Sequence, residues 1–293
     1  MKTIKKFLAV ILSVVFIAAC FAGCSSNDGE KYSDETLIIG YTEAAEPFLI
    51  ADKDGNVTGV KDGSDNPGFE AELWNAIFDN VKGDLKSYVF EKVDEGYQLE
   101  EDGGFFDSND KEYSAALLMG AVSKNNGTFN EDYSFTEPII TDRVIAVVSK
   151  NSKIASYADF AGAKAVTVSD IAKTAFEKNS AISSACASVT ESAKIEDALA
   201  LLDSGKADVV ITDEFNFMPY DKADSYTVLD HEIDTIEYVI ACAKHSGWKD
   251  SINEAIRQLK SDKYDDGDFF TPIVEKYFGY NASSFNYEAE GDK

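Results

Sequence analysis

The stretch 206-KADVVITDEF-215 sets an apolar run, Val209 to Thr212, between two carboxylates, Asp208 and Asp213. Such a run makes a short strand buried on both faces. Just upstream, 194-KIEDALALLDSG-205 puts Ile195, Leu199 and Leu202 on one helical stripe and ends at a glycine stop. A strand that follows a covering helix in this way belongs to a layered α/β sheet. In open sheets of that class, ligands sit outside the carboxyl ends of the strands. Asp213 falls at that end and is expected to face a crevice. Asp208 falls at the opposite end, where capping a turn is expected.

The same alternation runs through the rest of the chain. The segment 37-LIIGYT-42 reads as a strand, and 69-FEAELWNAIFDN-80 as a helix with Phe69, Leu73 and Ile77 inward. Strands are expected at 88-YVFEKV-93, at 143-RVIAVVSK-150 and over the whole apolar run 115-AALLMGAV-122. The pattern then restarts with strand 164–169, helix 173–179 and, after 206–215, strand 226–230. Segment 237-EYVIACAK-244 and two helices, 249–262 and 271–278, close the chain. Mostly parallel sheets in two lobes are expected.

A chain of 293 residues is comfortable for two lobes. Its formal net charge of −26 repels phosphate, which sets nucleic acid aside as a partner. Arg143 and Arg257 are the only arginines, so a bidentate carboxylate clamp has few possible donors.

The N-terminus, 1-MKTIKKFLAVILSVVFIAACFAGCSSNDGE-30, has a basic head, a short apolar run and small residues leading to a cysteine. This is an export signal, expected over residues 1–23, followed by a polar linker over 24–35. Cys186 and Cys242 lie in apolar or small surroundings and read as separate buried thiols rather than a crosslink.

Phe-Ala-Gly-Cys24 resembles the lipobox of bacterial lipoproteins, and Ile-Ala-Ala-Cys20 also fits. Behind it, five segments resemble, in order, the extracellular amino-acid-type solute-binding proteins of ABC importers. They are 40-GYTEAAEPF-48, 68-GFEAELWNAIF-78, 133-YSFTEPIITDRVIAVVSK-150, 200-ALLDSGKADVVITDEF-215 and 237-EYVIACAK-244. The resemblance implies an α/β, two-lobed, type II periplasmic-binding-protein-like fold with two crossover hinge segments. Lobe one would be 36–139 plus 238–280, lobe two 144–230, and 281–293 a tail. Crossovers would fall near Ile140–Arg143 and His231–Glu237. It further implies a monomer, lipid-anchored at Cys24 on the outer face of the bacterial cytoplasmic membrane. The partners would be a small-molecule solute and the ABC permease subunits, with no cofactor.

In such proteins an acidic residue after the lobe-two strand binds the ligand's ammonium group, and Asp213 matches that position. Thr174, Ser123, Lys124, Thr42, Glu43 and Phe48 are the other ligand-binding candidates. The resemblance breaks at the carboxylate half of the site. The family's arginine is missing from loop 123–135, where Lys124 is the only cation. Lys173 or Arg143 could supply positive charge instead. Two ligand classes therefore follow: an amino acid held by lysines or backbone N–H groups, or a cation lacking a free carboxylate, with Glu43 or Glu46 assisting.

Two other classes compete. Some dehydratases and lyases use this fold, but His231 and His245 stand in no nucleophile motif, and no metal-ligand spacing occurs. A ligand-sensing lipoprotein subunit without transport is the second. The run 52-DKDGN-56 is hairpin chemistry rather than a calcium loop.

Overall fold

The computed structural model describes residues 35–279 apart from 60–65, 94–97, 100–104, 107–111, 114–116, 125–132, 222–224, 245, 262 and 265–266. The export signal, Cys20, Cys24, most of the linker, the tail, most of the acidic loop 98–110 and His245 lie outside the described residues.

The elements, in chain order, are β1 (Thr36–Tyr41), α1 (Phe69–Val81), β2 (Ser87–Lys92), β3 (Leu117–Leu118), β4 (Tyr133–Phe135), β5 (Ile140–Ser149), β6 (Lys164–Thr167), α2 (Asp170–Lys178) and β7 (Ser188–Glu191). There follow α3 (Ile195–Asp203), β8 (Val209–Asp213), α4 (Glu214–Phe217), β9 (Tyr226–Val228), β10 (Asp234–Tyr238), β11 (Ala241–Ala243), α5 (Trp248–Ser261) and α6 (Thr271–Phe278).

Two sheets organise the molecule. The first runs β2-β1-β3-β11-β4, and the second runs β7-β6-β8-β5-β9 with β10 also paired to β5. The expectation of mostly parallel sheets is corrected. β1 pairs in parallel with β2 and β3, and β6 with β7 and β8, but β11 and β5 run antiparallel to all their partners. The cause lies in the path of the chain. It leaves the first sheet through β4 to β5 and returns through β10 to β11, and the two passages pair antiparallel from Ile140↔Tyr238 to Val144↔Asp234.

β5 explains why 143-RVIAVVSK-150 reads as a continuous apolar run. Val144, Ala146 and Val148 enter one core cluster while Ile145 and Val147 enter another, so both faces of the strand are covered. The helical stripes behave as their spacing requires. Phe69, Leu73 and Ile77 are buried on α1, and Ile195, Leu199 and Leu202 on α3. Gly279 ends α6 in the left-handed conformation, as a C-terminal stop requires.

The eight-residue strand expected over 115–122 is shorter among the described residues: only Leu117 and Leu118 are in strand conformation. Gly120 and Ala121 take φ of 105° and 55°, which ends the ladder and turns their N–H groups aside. Gly68 is required by close approach. Its φ is 101°, and a Cβ there would lie 2.4 Å from the Phe48 carbonyl oxygen. That contact seats the segment before α1 on the helix, where Phe69 N and Glu70 N donate to the carbonyls of Pro47 and Phe48 at 2.9 Å.

Cys186 is half-buried, Cys242 is buried and both thiols are free. Asp208 caps as expected: its Oδ2 accepts the Lys164 amide at 2.9 Å, tying the starts of β6 and β8 together.

Candidate functional site

Strand register gathers the site on one face of the second sheet. Asp213 pairs with Val144, and Ile236 with Asp142. Tyr238 pairs with Ile140. Residues paired across strands share a face, as do residues two apart on one strand, so Asp142, Asp213 and Tyr238 all project to the same side. Asp213 is the last residue of β8, at the carboxyl edge.

Asp213 is half-buried, and its Oδ1 accepts the Ser169 hydroxyl at 3.1 Å. Ser169 is the N-cap of α2, with its Oγ accepting the Ala172 amide at 3.0 Å. Burial raises the Asp213 carboxyl to about 6, and the Ser169 bond only partly offsets this.

Asp142 is 1 % exposed. Its Oδ1 accepts the amides of Arg143 at 2.7 Å and Phe215 at 3.3 Å. Burial first, then the charges of Asp213 and Glu214, raise its carboxyl well above the usual range. Sequence reasoning missed this residue. An isolated acid at the start of an apolar strand was its only signal.

Glu70 was missed as well. It sits in the first turn of α1, fully buried, and accepts the amides of Gly120 at 2.5 Å and Ala121 at 3.1 Å. The left-handed turn at 120–121 exists to present those donors. Burial still outweighs the two bonds and lifts the carboxyl to about 7. The Tyr238 hydroxyl is raised by burial and then by the charges of Asp142, Asp213 and Glu70, which places it within electrostatic range of all three.

Aromatic rings pack against Tyr238 beside these acids. Phe48 is buried, with centroids 4.4 Å from Tyr238, 6.3 Å from Phe215 and 5.5 Å from Phe278. Phe215, on α4, lies 4.5 Å from Phe278 on α6. Phe48 is thus part of an aromatic cluster that includes Tyr238.

The remaining sequence candidates lie on several segments. Ser123 is buried and bridges to Tyr238. The Lys124 amide donates to the Glu237 carbonyl at 3.2 Å, and its Nζ to the Glu237 carboxylate at 3.0 Å. Thr42 is half-buried and Glu43 exposed just past β1, with the Glu43 carbonyl close against Gly120. Glu46 is exposed. Thr174 is exposed on α2, and Ser169 rather than Thr174 reaches Asp213.

Lys173 and Arg143, the other candidate sources of positive charge, each carry an ion pair. Lys173 Nζ donates to Glu191 at 2.6 Å. Arg143 forks onto Glu214 through both Nε, at 2.7 Å, and a terminal nitrogen. Among the described residues no group of three or more His, Cys, Asp or Glu side chains could hold a metal ion. A surface depression beside Val148, Lys150, Ile154 and Asp230 contains none of these acids.

The fold has many solved relatives. A polar amino acid ABC uptake transporter substrate-binding protein from Streptococcus thermophilus is similar at TM-score 0.59 and 21% identity, covering 88% of this chain and 92% of that one. The L-cystine solute receptor of Neisseria gonorrhoeae, unliganded and open, is similar at TM-score 0.57 and 17% identity over 85% of this chain and 94% of its own. The GluR0 ligand-binding core from Nostoc punctiforme, in complex with L-glutamate, gives 0.52 and 20% over 83% and 100%. No family model and no curated protein matches the chain. The class that the architecture defines is the two-lobed, type II periplasmic-binding-protein-like fold.

Proposed function

We propose that this chain is a membrane-tethered extracellular solute-binding protein that captures a small polar solute, an amino acid or related amine, and delivers it to an ABC permease. It acts by binding and closure, without catalysing a reaction. The ordered motifs behind a lipobox support this, as do structural relatives that are substrate-binding proteins of amino-acid transporters. Anchoring at Cys24 on the outer face of the cytoplasmic membrane belongs to the same reading, with lobes at 36–139 plus 238–280 and 144–230.

The observation that carries it is Asp213, a desolvated carboxylate at the carboxyl edge of the second sheet, beside Asp142 and the inter-lobe aromatic rings. A solute ammonium group placed there restores the interactions that burial removed. A charged hydrogen bond of this kind contributes about 1.5–3 kcal/mol. The lobes then close by bending the paired passages between the sheets. Asp213→Ala is expected to abolish solute binding in calorimetry while the empty protein still unfolds cooperatively. Unchanged affinity would reject the site.

A second reading, a ligand-sensing lipoprotein subunit without transport, rests on the likeness to the GluR0 ligand-binding core. Uptake of labelled solute by cells with and without the gene separates the two.

A further inference from the structure

We infer that the solute is an organic ammonium cation without a carboxylate, received at Asp213 and the Tyr238 hydroxyl, with Asp142 buried beside them. This rests on the solute-binding reading and narrows it to a chemical class.

The first ground is the balance of charge around the gap. Asp142 on β5 and Asp213 on β8 share one sheet face with Tyr238, and the charge of Glu70 on α1 reaches the same tyrosine hydroxyl. Among the described residues, none of these carboxylates hydrogen-bonds another. The nearby cations do not offset them, because Lys124, Lys173 and Arg143 are each paired with a carboxylate of their own.

The second ground is the fate of the backbone donors. The turn at Gly120 and Ala121 is the type of N–H nest that receives anions. Here the Glu70 carboxylate already fills it. A solute carboxylate entering from the first lobe would find its donors taken and a negative group in place.

The third ground is independent of the acids. Tyr238 is 7 % exposed, and its hydroxyl has no hydrogen-bond partner among the described residues. Thr167, at the carboxyl end of β6, is 1 % exposed, and its Oγ1 likewise has none. Thr167 pairs with Ile211 on β8, so it lies on the same sheet face as Asp213. Buried hydroxyls are normally satisfied, so the unsatisfied Thr167 Oγ1 at this sheet edge points to a missing polar partner. Phe48, Phe215 and Tyr238 supply the aromatic wall that an alkylammonium group favours.

The test uses matched pairs that differ by one carboxylate: 1,5-diaminopentane with lysine, 1,4-diaminobutane with ornithine, histamine with histidine, and ethanolamine with serine. Each is titrated against the full-length protein by thermal shift and calorimetry, with calcium chloride as a further probe. The expected result is one amine that binds at least tenfold tighter than its amino acid and loses at least tenfold in Tyr238→Phe, a variant that keeps the ring. An amino acid that binds as tightly as or tighter than its amine, or a response to calcium alone, overturns the inference and leaves the solute-binding reading standing. Silence of every pair overturns both.

Discussion

Ser169 links Asp213 to the start of α2: one hydroxyl donates to the carboxylate at 3.1 Å and accepts the Ala172 amide at 3.0 Å. The side chain that caps the helix is therefore also the one that steadies the candidate ligand carboxylate. Ser169→Ala removes both bonds. Loss of the cap is expected to cost about 1 kcal/mol in thermal unfolding. It should also raise the Asp213 carboxyl further, so solute affinity falls even though residue 169 need not touch the solute. Calorimetry at pH 6 and pH 8 checks this, because the loss should be larger at pH 6.

Glu70 gives the empty protein an unusual pH response. Its carboxyl is lifted from 4.5 to about 7 by burial, so the folded state holds a proton that the unfolded state has released. This contribution is fully present below pH 4.5 and is lost as pH rises through about 7. Its full size is on the order of 3 kcal/mol, from about 1.4 kcal/mol per tenfold shift in proton affinity. Urea midpoints measured from pH 4.5 to 8 should fall less steeply in Glu70→Gln than in the parent. The slope is the readout, because glutamine leaves one of the two amides at 120–121 without its acceptor.

Asp213 titrates in the same sense, from 3.8 to about 6. A bound cation favours the ionised form, so protons compete with the solute. Affinity for a cationic solute should weaken by roughly tenfold for each pH unit below about 6. Dissociation constants between pH 5 and 8 test it, and a flat profile would remove Asp213 from the site.

Burial, and then the charges of Asp213 and Glu214, raise the Asp142 carboxyl. Asparagine removes the charge and keeps an oxygen that accepts the Phe215 amide. Asp142→Asn is expected to stay within about 1 kcal/mol of the parent in the empty state, whereas Asp142→Ala strands buried amides at about 1–3 kcal/mol. Equal losses in the two variants would show that the oxygen at position 142 contributes nothing through the Arg143 and Phe215 amides.

Gly68→Ala should cost about 2–4 kcal/mol, since the added carbon meets the Phe48 carbonyl in a positive-φ conformation. That carbonyl cannot retreat without breaking its bond to the Glu70 amide. The same variant should weaken solute binding by displacing Phe48, as calorimetry can show.

Much of this was legible in the sequence, and the reason differs between residues. The helices at 69–81 and 195–203 announce themselves by period, and β8 by its apolar run. Asp213 is legible because a carboxylate directly after a buried strand can only stand at the sheet edge. Strand direction was not legible, because alternating strands and helices leave open which strands return antiparallel. Glu70 was invisible for a subtler reason. On a helix whose apolar stripe runs through Phe69 and Leu73, an acid at 70 reads as a solvated neighbour until the turn at Gly120 is placed against it. Asp142 was hidden in the same way, since its partners at Phe215 lie 73 residues away. The ion-pair partners of the cationic candidates, Glu191, Glu214 and Glu237, were not legible either, because folding brings them together from 18 to 113 residues away.

The pairing of β5 with β10 has a mechanical meaning. Under the proposed closure, the ribbon that flexes also carries Asp142 on one strand and Tyr238 on the other. Recognition and actuation would then share a single spring: whatever neutralises the acids would alter the tension of the same two strands, with no separate relay to report that the trap is full.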